Sequence, residues 1–508
     1  MGESCQLHRL LALLREAWRT INKLTGRSGR SPRLYLVLAS TIALQLVKNG
    51  THKTGGHEST RLVSKQLSDL WKIPTPEGHS ISEPFRLEEL PAVLRRLKPG
   101  KSQGLDSIFP EFILHTRSAL KSWFCDFFTS CMCQLKIPKI WRRALLVAVL
   151  KPEKPSGDPK NYRPTPLLCV PLKNLERLIY ARVEPIIDPL LPQEQVVFDT
   201  EAGQIALLTQ DTEDSFSAKK KAGIVFVDLT AAYNTVWHRC LTCKLLRLLP
   251  DRHMVHMIME MVGNRSFIVT TGNGKRSRLR CLSNGVSQGS ALAPLLFNIY
   301  ISDLPTTISR KYAYADDLAT MHADGDWQAV EGTLTKDMAT LGEYLQTWKL
   351  KLSTTNTVPA VFHLNNKEAK RELKVNFNND TLPFCFEPKY LGVTLDRSLT
   401  YRRHLESLRK KLTSHAALLR RLAGSGWGAG ATTLRTATLP LVHSTAENCA
   451  SVWCRSAHTL LIDPAINDSC VLHQRTTFQY SQELRRNGAT LSLDDETTEW
   501  LLNTCPEI

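Results

Sequence analysis

The sequence predicts an α+β fold in which a small antiparallel sheet is backed by helices. Three observations predict it. Two short, continuous apolar runs, Ala144–Leu150 (ALLVAVL) and Ile224–Val227, have the length of buried strands. A third segment, Tyr312–Met321, reads as a hairpin around Asp316–Asp317. Longer stretches with apolar residues at helical spacing lie between and after these runs.

In chain order, residues 1–80 carry two helical patterns separated by TGRSGRSPR, and the second (Leu62, Leu67, Leu70, Trp71) ends at Ile73 before the Pro74–Pro76 break. No residue there has the chemistry of a catalytic site, so 1–84 reads as a linker or accessory segment. EELPAVLRRL is helical, PGKSQG is a loop, and Phe109–Gln134 reads as one helix. LKNLERLIYARVEPII is amphipathic, with Leu172, Leu175, Leu178 and Ile179 on one face. Ala291–Ile301 reads as a buried helix. Trp327–Leu350 is a long one, striped by Leu334, Met338, Leu341, Leu345 and Trp348. Strand-like segments follow near Pro359–Leu364 and Lys389–Leu395. Residues 401–423 form a helix with an apolar row at Leu405, Leu408, Leu412, Ala416, Leu419 and Leu422. Its opposite face carries Arg402, Arg403, Arg409, Lys410 and Lys411, then Arg420 and Arg421. That face is either simply solvated or a track for phosphates. Pro440 falls inside the helical pattern of 431–443; an interior proline costs about 3 kcal/mol and is expected to break it. The tail 456–508 is weakly patterned.

Lys plus Arg number 65 against 48 Asp plus Glu, a net charge of +17, which favours a polyanionic partner such as nucleic acid. Thirteen cysteines in 508 residues suit a reduced, intracellular protein rather than a disulfide scaffold. The N-terminus lacks a signal-peptide pattern, and Tyr35–Val47 is too short and polar to span a bilayer. The expectation is a nuclear or cytoplasmic protein, neither secreted nor membrane-bound. Cys240 and Cys243 form a lone CxxC with no second pair at zinc spacing, so core packing is the better reading; the same holds for Cys131 and Cys133.

Asp228 ends an apolar strand (FVDLTAAY), and Asp316–Asp317 sit between apolar segments (YAYADDLATMHA). Carboxylates beside a hydrophobic sheet are costly to bury without partners. Three that converge are stable around cations, and an all-oxygen set suits Mg²⁺ or Mn²⁺. Taken singly, each reads more readily as a turn residue.

The segments around them resemble the core motifs of one family. YADD at 314–317, FVDLTAAYNTVWH at 226–238 and GVSQGSALAPLLFNIYISDLP at 285–305 look like palm motifs of the reverse transcriptases of non-LTR (LINE-type, Jockey-like) retrotransposons. LKPGKSQGLDSIFPEF, KIWRRALLVAVLKPEK and NYRPTPLLCV resemble the fingers blocks, and TWKLKLSTTNT and PKYLGVTLDRSLTYRRHL the end of the palm. The match covers roughly residues 85–450.

The resemblance implies a right-hand polymerase with fingers at 85–220, an antiparallel palm at 221–398 and a helical thumb at 399–455. It implies RNA-directed DNA polymerase activity, with an RNA template, a DNA primer and dNTPs as partners. Asp228 and Asp316 would hold two Mg²⁺ (or Mn²⁺) ions, with Asp317 beside them and the Leu229 carbonyl as a further ligand. Tyr233 would be the steric gate against a 2′-OH; without the resemblance it reads as a core aromatic. Gln288 and Gly289 would meet the incoming nucleotide, and Arg163 the triphosphate, with Lys160 or Lys151 nearby. Arg402, Arg403, Arg409, Lys410 and Lys411 would grip the duplex.

Several positions depart from the family pattern. Ser287 stands for a usual Pro, Asn234 for Asp, Ser353 for Asn, and Asn356 for a Lys thought to protonate the leaving pyrophosphate. An amide cannot serve as that acid. At 194–209 the family's basic fingers loop is replaced by a sequence with Asp199 and Glu201, which would repel a phosphate backbone. With no endonuclease-like segment before it and no Cys/His knuckle after it, the chain reads as a truncated or degenerate copy. Two other readings stay open: a catalytically impaired nucleic-acid-binding relic and an RNA-dependent RNA polymerase. Oligomeric state is not readable.

Overall fold

The computed structural model describes residues 39–50, 57–76, 80–151, 154–192, 201–271, 275–378, 380–423 and 431–468. The chain divides into two compact units. One spans Arg30–Leu391, and the described part of the other begins at Gly392.

The larger unit holds two four-stranded sheets. In the first, β1 (Arg143–Leu150) pairs antiparallel with β2 (Tyr162–Leu167) and parallel with β4 (Arg265–Thr270), which pairs with β5 (Arg280–Leu282); the order is β2-β1-β4-β5. The second is antiparallel throughout, in the order β6-β7-β3-β8, from β3 (Lys221–Asp228), β6 (Arg310–Tyr314), β7 (Asp317–Asp324) and β8 (Val358–Phe362). β3 is central, and Ala222–Val227 are all buried. A strand covered on both faces must be continuously apolar, and that is the pattern seen in its sequence.

Helices Val170–Ile187, His238–Leu248, Arg252–Val262, Ala293–Ile301 and Trp327–Thr347 pack with β3 into one core that includes Leu175, Ile179, Val225, Leu241, Ile258, Phe297, Val330 and Leu334. Each such side chain contributes about 1.5–3 kcal/mol by leaving water. Glu201–Ser217 is a helix against β6. There Asp211 Oδ1 pairs with Arg310 Nη1 at 2.6 Å, and Tyr312 Oη donates to Asp211 Oδ2. The described part of the 1–84 segment is built into the same unit. Ala39, Ile42 and Ala43 cluster with Leu146, Phe267 and Val269, and Trp71 stacks on His256 at 4.0 Å.

Three expectations are corrected. Phe109–Gln134 is two helices, Pro110–Leu114 and Ser118–Gln134. Thr116 Oγ1 donates to the Ile113 carbonyl (2.8 Å) at the break, a local bond that competes with helix continuation. At Pro440 the chain does not stop being helical. It passes from α-helix (Ala431–Thr438) into a π turn, Leu439–His443, closed by Ser444 N–H donating to the Leu439 carbonyl. Proline has no N–H for the α pattern, and one wide turn absorbs the missing bond. Cys131 is buried but Cys133 is exposed; Cys240 and Cys243 are both buried. Asp199 lies outside the described residues, as does the side chain of Glu201. The 389–395 segment is two short strands, Lys389–Tyr390 and Val393–Thr394.

In the second unit the Arg402–Leu422 helix buries Leu405, Leu408, Leu412, Ala416, Leu419 and Leu422, the row read from the sequence. Arg402, Arg403, Arg409, Lys410 and Lys411 are exposed. Arg402 pairs with Glu406 at 3.0 Å, and Arg420 with Asp468 at 2.8 Å. Among the described residues no helix is long and apolar enough to cross a membrane.

Arg182 ties the 81–89 segment to the core of the large unit. Its guanidinium donates to both Glu89 oxygens at 2.9 Å, to the carbonyls of Ile81, Glu83 and Pro84, and lies 4.3 Å over the Phe85 ring. Burial, the largest single influence, would raise the Glu89 carboxyl, but the Arg182 hydrogen bond, the Arg86 N–H and the charges of both arginines together outweigh it and hold it below its ordinary value. That stabilisation is present above the unfolded carboxylate value and is lost as pH falls through the lowered folded one. Arg182→Ala is expected to cost about 2–3 kcal/mol at pH 7. Urea melts should show the gap from wild type narrowing below roughly pH 4.

Candidate active site

The hairpin and the central strand bring the candidate carboxylates together by register. Asp228 ends β3 directly opposite Asp317, the first residue of β7, and Tyr314 pairs with Asp317 across the β6–β7 turn. Asp316 therefore occupies the turn itself, behind Ala315 at φ 51. A left-handed alanine is strained, and such strain persists where surrounding structure imposes it. Ala231, entering the short Ala232–Thr235 helix after Asp228, is also left-handed at φ 51.

Asp316 is half-buried, and burial first, then the Asp228 charge, raises its carboxyl above the ordinary range; the Arg163 charge acts the other way. So Asp228, Asp316 and Arg163 share one electrostatic neighbourhood. Tyr233 joins it. Its hydroxyl is pushed up to about 12 by burial and by the Asp316 charge, so it stays neutral, and its ring stacks on Phe297 (4.8 Å, 18°). Lys160 and Lys151 are exposed at the ends of the β1–β2 connection, upstream of Arg163.

Asp317 diverges from its neighbour. It is exposed, and its charge is felt by Tyr390. Among the described residues no group of three or more His, Cys, Asp or Glu side chains is placed to hold a metal ion. Asp317 stands opposite Asp228 in the β3–β7 register, so all three carboxylates lie at one end of the sheet, and Asp228 and Asp316 act on each other by charge. Two carboxylates still fit a hard divalent cation, since Mg²⁺ is commonly held by one or two carboxylates plus substrate phosphates rather than by an all-protein cage. The raised carboxyl of Asp316 beside a like charge is the feature such a cation would relieve.

The 351–357 loop wraps Asp228. Ser353 N–H donates to the Asp228 carbonyl (2.8 Å), Asp228 N–H donates to Thr357 Oγ1 (3.2 Å), and Thr230 N–H donates to the Lys351 carbonyl (2.7 Å). Asn356 Nδ2 donates to Asp228 Oδ2 at 2.8 Å. The Asn356 departure seen in the sequence therefore bears directly on a candidate ligand. Leu229, buried, bridges to Leu352 behind it.

The GVSQGS segment is a reverse turn closed by Ser290 N–H donating to the Ser287 carbonyl (3.1 Å), with Gly289 third in the turn at φ +90. That torsion, rather than crowding, requires glycine: an added Cβ would meet only Pro166, at 3.7 Å. Gln288 and Gly289 are exposed. Val286 N–H donates to the Tyr233 carbonyl (2.7 Å), which ties this turn to the tyrosine. Sequence reasoning missed Glu176, whose buried carboxylate accepts from Ser290 Oγ and Ala291 N–H. Its signal was legible: an acid within the apolar stripe of Leu172, Leu175 and Ile179.

A family model described as reverse transcriptase (RNA-dependent DNA polymerase) matches residues 150–395. The chain is 28% identical over 368 residues to the probable RNA-directed DNA polymerase from transposon BS of Drosophila melanogaster, covering 69% of this chain and 40% of that protein. It is 30% identical over 379 residues to the RNA-directed DNA polymerase from mobile element jockey of Drosophila funebris, covering 69% and 41%. It is 24% identical over 223 residues to the retrovirus-related Pol polyprotein from type-1 retrotransposable element R2 of Popillia japonica, covering 44% and 30%. The aligned segments thus span less than half the length of these relatives.

Proposed function

Because the chain belongs to the reverse transcriptases of non-LTR retrotransposons, we propose that it is an RNA-directed DNA polymerase that extends a DNA primer on an RNA template. The observation that carries this is the register that sets Asp228 opposite the β6–β7 hairpin, with Asp316 in the turn and its charge coupled to that of Asp228. In the reaction the primer 3′-OH attacks the α-phosphate of a dNTP and pyrophosphate leaves. Two bound divalent cations, Mg²⁺ or Mn²⁺, would clamp the attacking and leaving oxygens.

The chain's own residues position and neutralise. Asp228 and Asp316 supply carboxylate oxygens, with the Leu229 carbonyl and Asp317 beside them. Arg163, with Lys160, meets the triphosphate. Gln288 and Gly289 present backbone to the nucleotide, and Tyr233, braced by Phe297, lies under the sugar. The exposed Arg402, Arg403, Arg409, Lys410 and Lys411 track the duplex. In this reading 85–220 are fingers, 221–398 palm and 399–455 thumb.

Primer extension on poly(rA)/oligo(dT) tests the proposal: dTTP incorporation in Mg²⁺, abolished by EDTA, is expected. If a folded protein that binds the duplex incorporates nothing above the EDTA background, the proposal fails. The second reading, a nucleic-acid-binding relic, then holds; Asn356, an amide bonded to Asp228 at the position where the family usually has a Lys, favours it. Tyr233→Val is expected to raise ribonucleotide incorporation relative to deoxynucleotide about tenfold or more. An unchanged ratio would remove Tyr233 as the gate.

A further inference from the structure

We propose that Glu176 and Arg265 are positioning residues for the incoming nucleotide, a buried acid–base couple that holds the 285–291 loop at both ends. The inference rests on the polymerase reading above. Glu176 is 5% exposed, on the core face of the Val170–Ile187 helix. Its Oε1 accepts from Ser290 Oγ at 2.8 Å and its Oε2 from Ala291 N–H at 2.7 Å. At the other end Arg265 Nη2 donates to the Asn284 carbonyl at 3.2 Å and to the Gly285 carbonyl, while its Nε donates to the Val262 carbonyl at 2.9 Å. The two charges act on each other across the loop.

Burying a carboxylate in a helix core is costly unless every lone pair has a use. A carboxylate offers two acceptors and no donor, so it satisfies a hydroxyl and a backbone N–H together. Both donors belong to the residues that follow Gln288–Gly289, and the two loop carbonyls that Arg265 engages, those of Asn284 and Gly285, precede it. The turn of Ser287, Gln288 and Gly289, the last two exposed, is thus the free middle of a segment pinned at each end. Gly285 N–H, donating to the Val236 carbonyl, and Val286 N–H, donating to the Tyr233 carbonyl (both 2.7 Å), join it to the tyrosine. A helix staple with no nucleotide role would affect folding alone. A positioning couple sets how rigidly the turn meets a dNTP before chemistry.

The test uses the full chain, with Glu176→Gln and, as the milder change, Ser290→Ala. Steady-state extension of poly(rA)/oligo(dT) is measured together with hydrogen exchange of residues 286–292, with and without dTTP and Mg²⁺. Glu176→Gln is expected to raise the dTTP KM about tenfold while kcat stays within about threefold, and Ser290→Ala about threefold in KM. The primer–template KM stays unchanged in both. Wild type is expected to show dTTP-dependent protection of 286–292, and Glu176→Gln to lose it. An unchanged dTTP KM, or a fall in kcat with KM constant, overturns the proposal; where Glu176→Gln does not fold, Ser290→Ala decides. Protection of the wild-type loop without any extension would sink the polymerase reading and leave this one standing. No protection of the wild-type loop by dTTP would overturn this one whatever the extension shows.

Discussion

Asp316→Ala is expected to lower dTTP incorporation by about 10³-fold or more while leaving duplex binding within about twofold. The carboxylate sits in a two-residue turn with Asp228 as its charged neighbour, so its removal takes away the partner proposed to hold the cations with Asp228. The same change removes a like charge that is costly in the absence of cations. The variant's thermal unfolding in EDTA at neutral pH is therefore expected to lie at or above that of wild type. Primer extension and melting on the same preparation check both halves. Activity retained within tenfold would take Asp316 out of the site. Activity lost together with a large fall in melting temperature would mark it as structural.

Gly285→Ala is expected to cost about 3 kcal/mol of stability, a large effect for one methyl group. Gly285 has φ +86, and an added Cβ would lie 2.7 Å from the Asn234 carbonyl oxygen and 2.9 Å from its Cα, both backbone atoms with no rotamer to yield. Gly289→Ala is the control: its φ is +90, but its nearest neighbour is a Pro166 side-chain atom at 3.7 Å, so only the torsional cost of about 1 kcal/mol applies. Urea midpoints at constant slope measure the difference. Equal costs at the two positions would show that the backbone contact between the 285–291 loop and Asn234 relaxes freely.

Much of the architecture was legible because it follows from local periodicity. β3 reads as a continuous apolar run because both its faces are covered, and the Arg402–Leu422 helix buries the row its spacing predicts. The break before Ser118 and the π turn at Pro440 were misjudged in detail. Each depends on which hydrogen-bond partner a backbone group finds, and periodicity does not encode that. The candidate carboxylates could be named from their motifs, but their grouping could not. Adjacent Asp316 and Asp317 are equivalent in sequence, yet one is half-buried and coupled to Asp228 and the other is exposed.

By itself the sequence determined the family, the strand–hairpin order, the basic balance and the identity of the titratable groups, because these are properties of composition and of residues near one another in the chain. The tertiary structure alone decided which of them meet: Asn356 against Asp228 across 128 positions, and Glu176 against Ser290 across 114. Such contacts depend on register and packing between distant segments. A shift of one residue in β3 against β7 would move Asp228 from opposite Asp317 and turn its side chain to the other face without changing any local pattern.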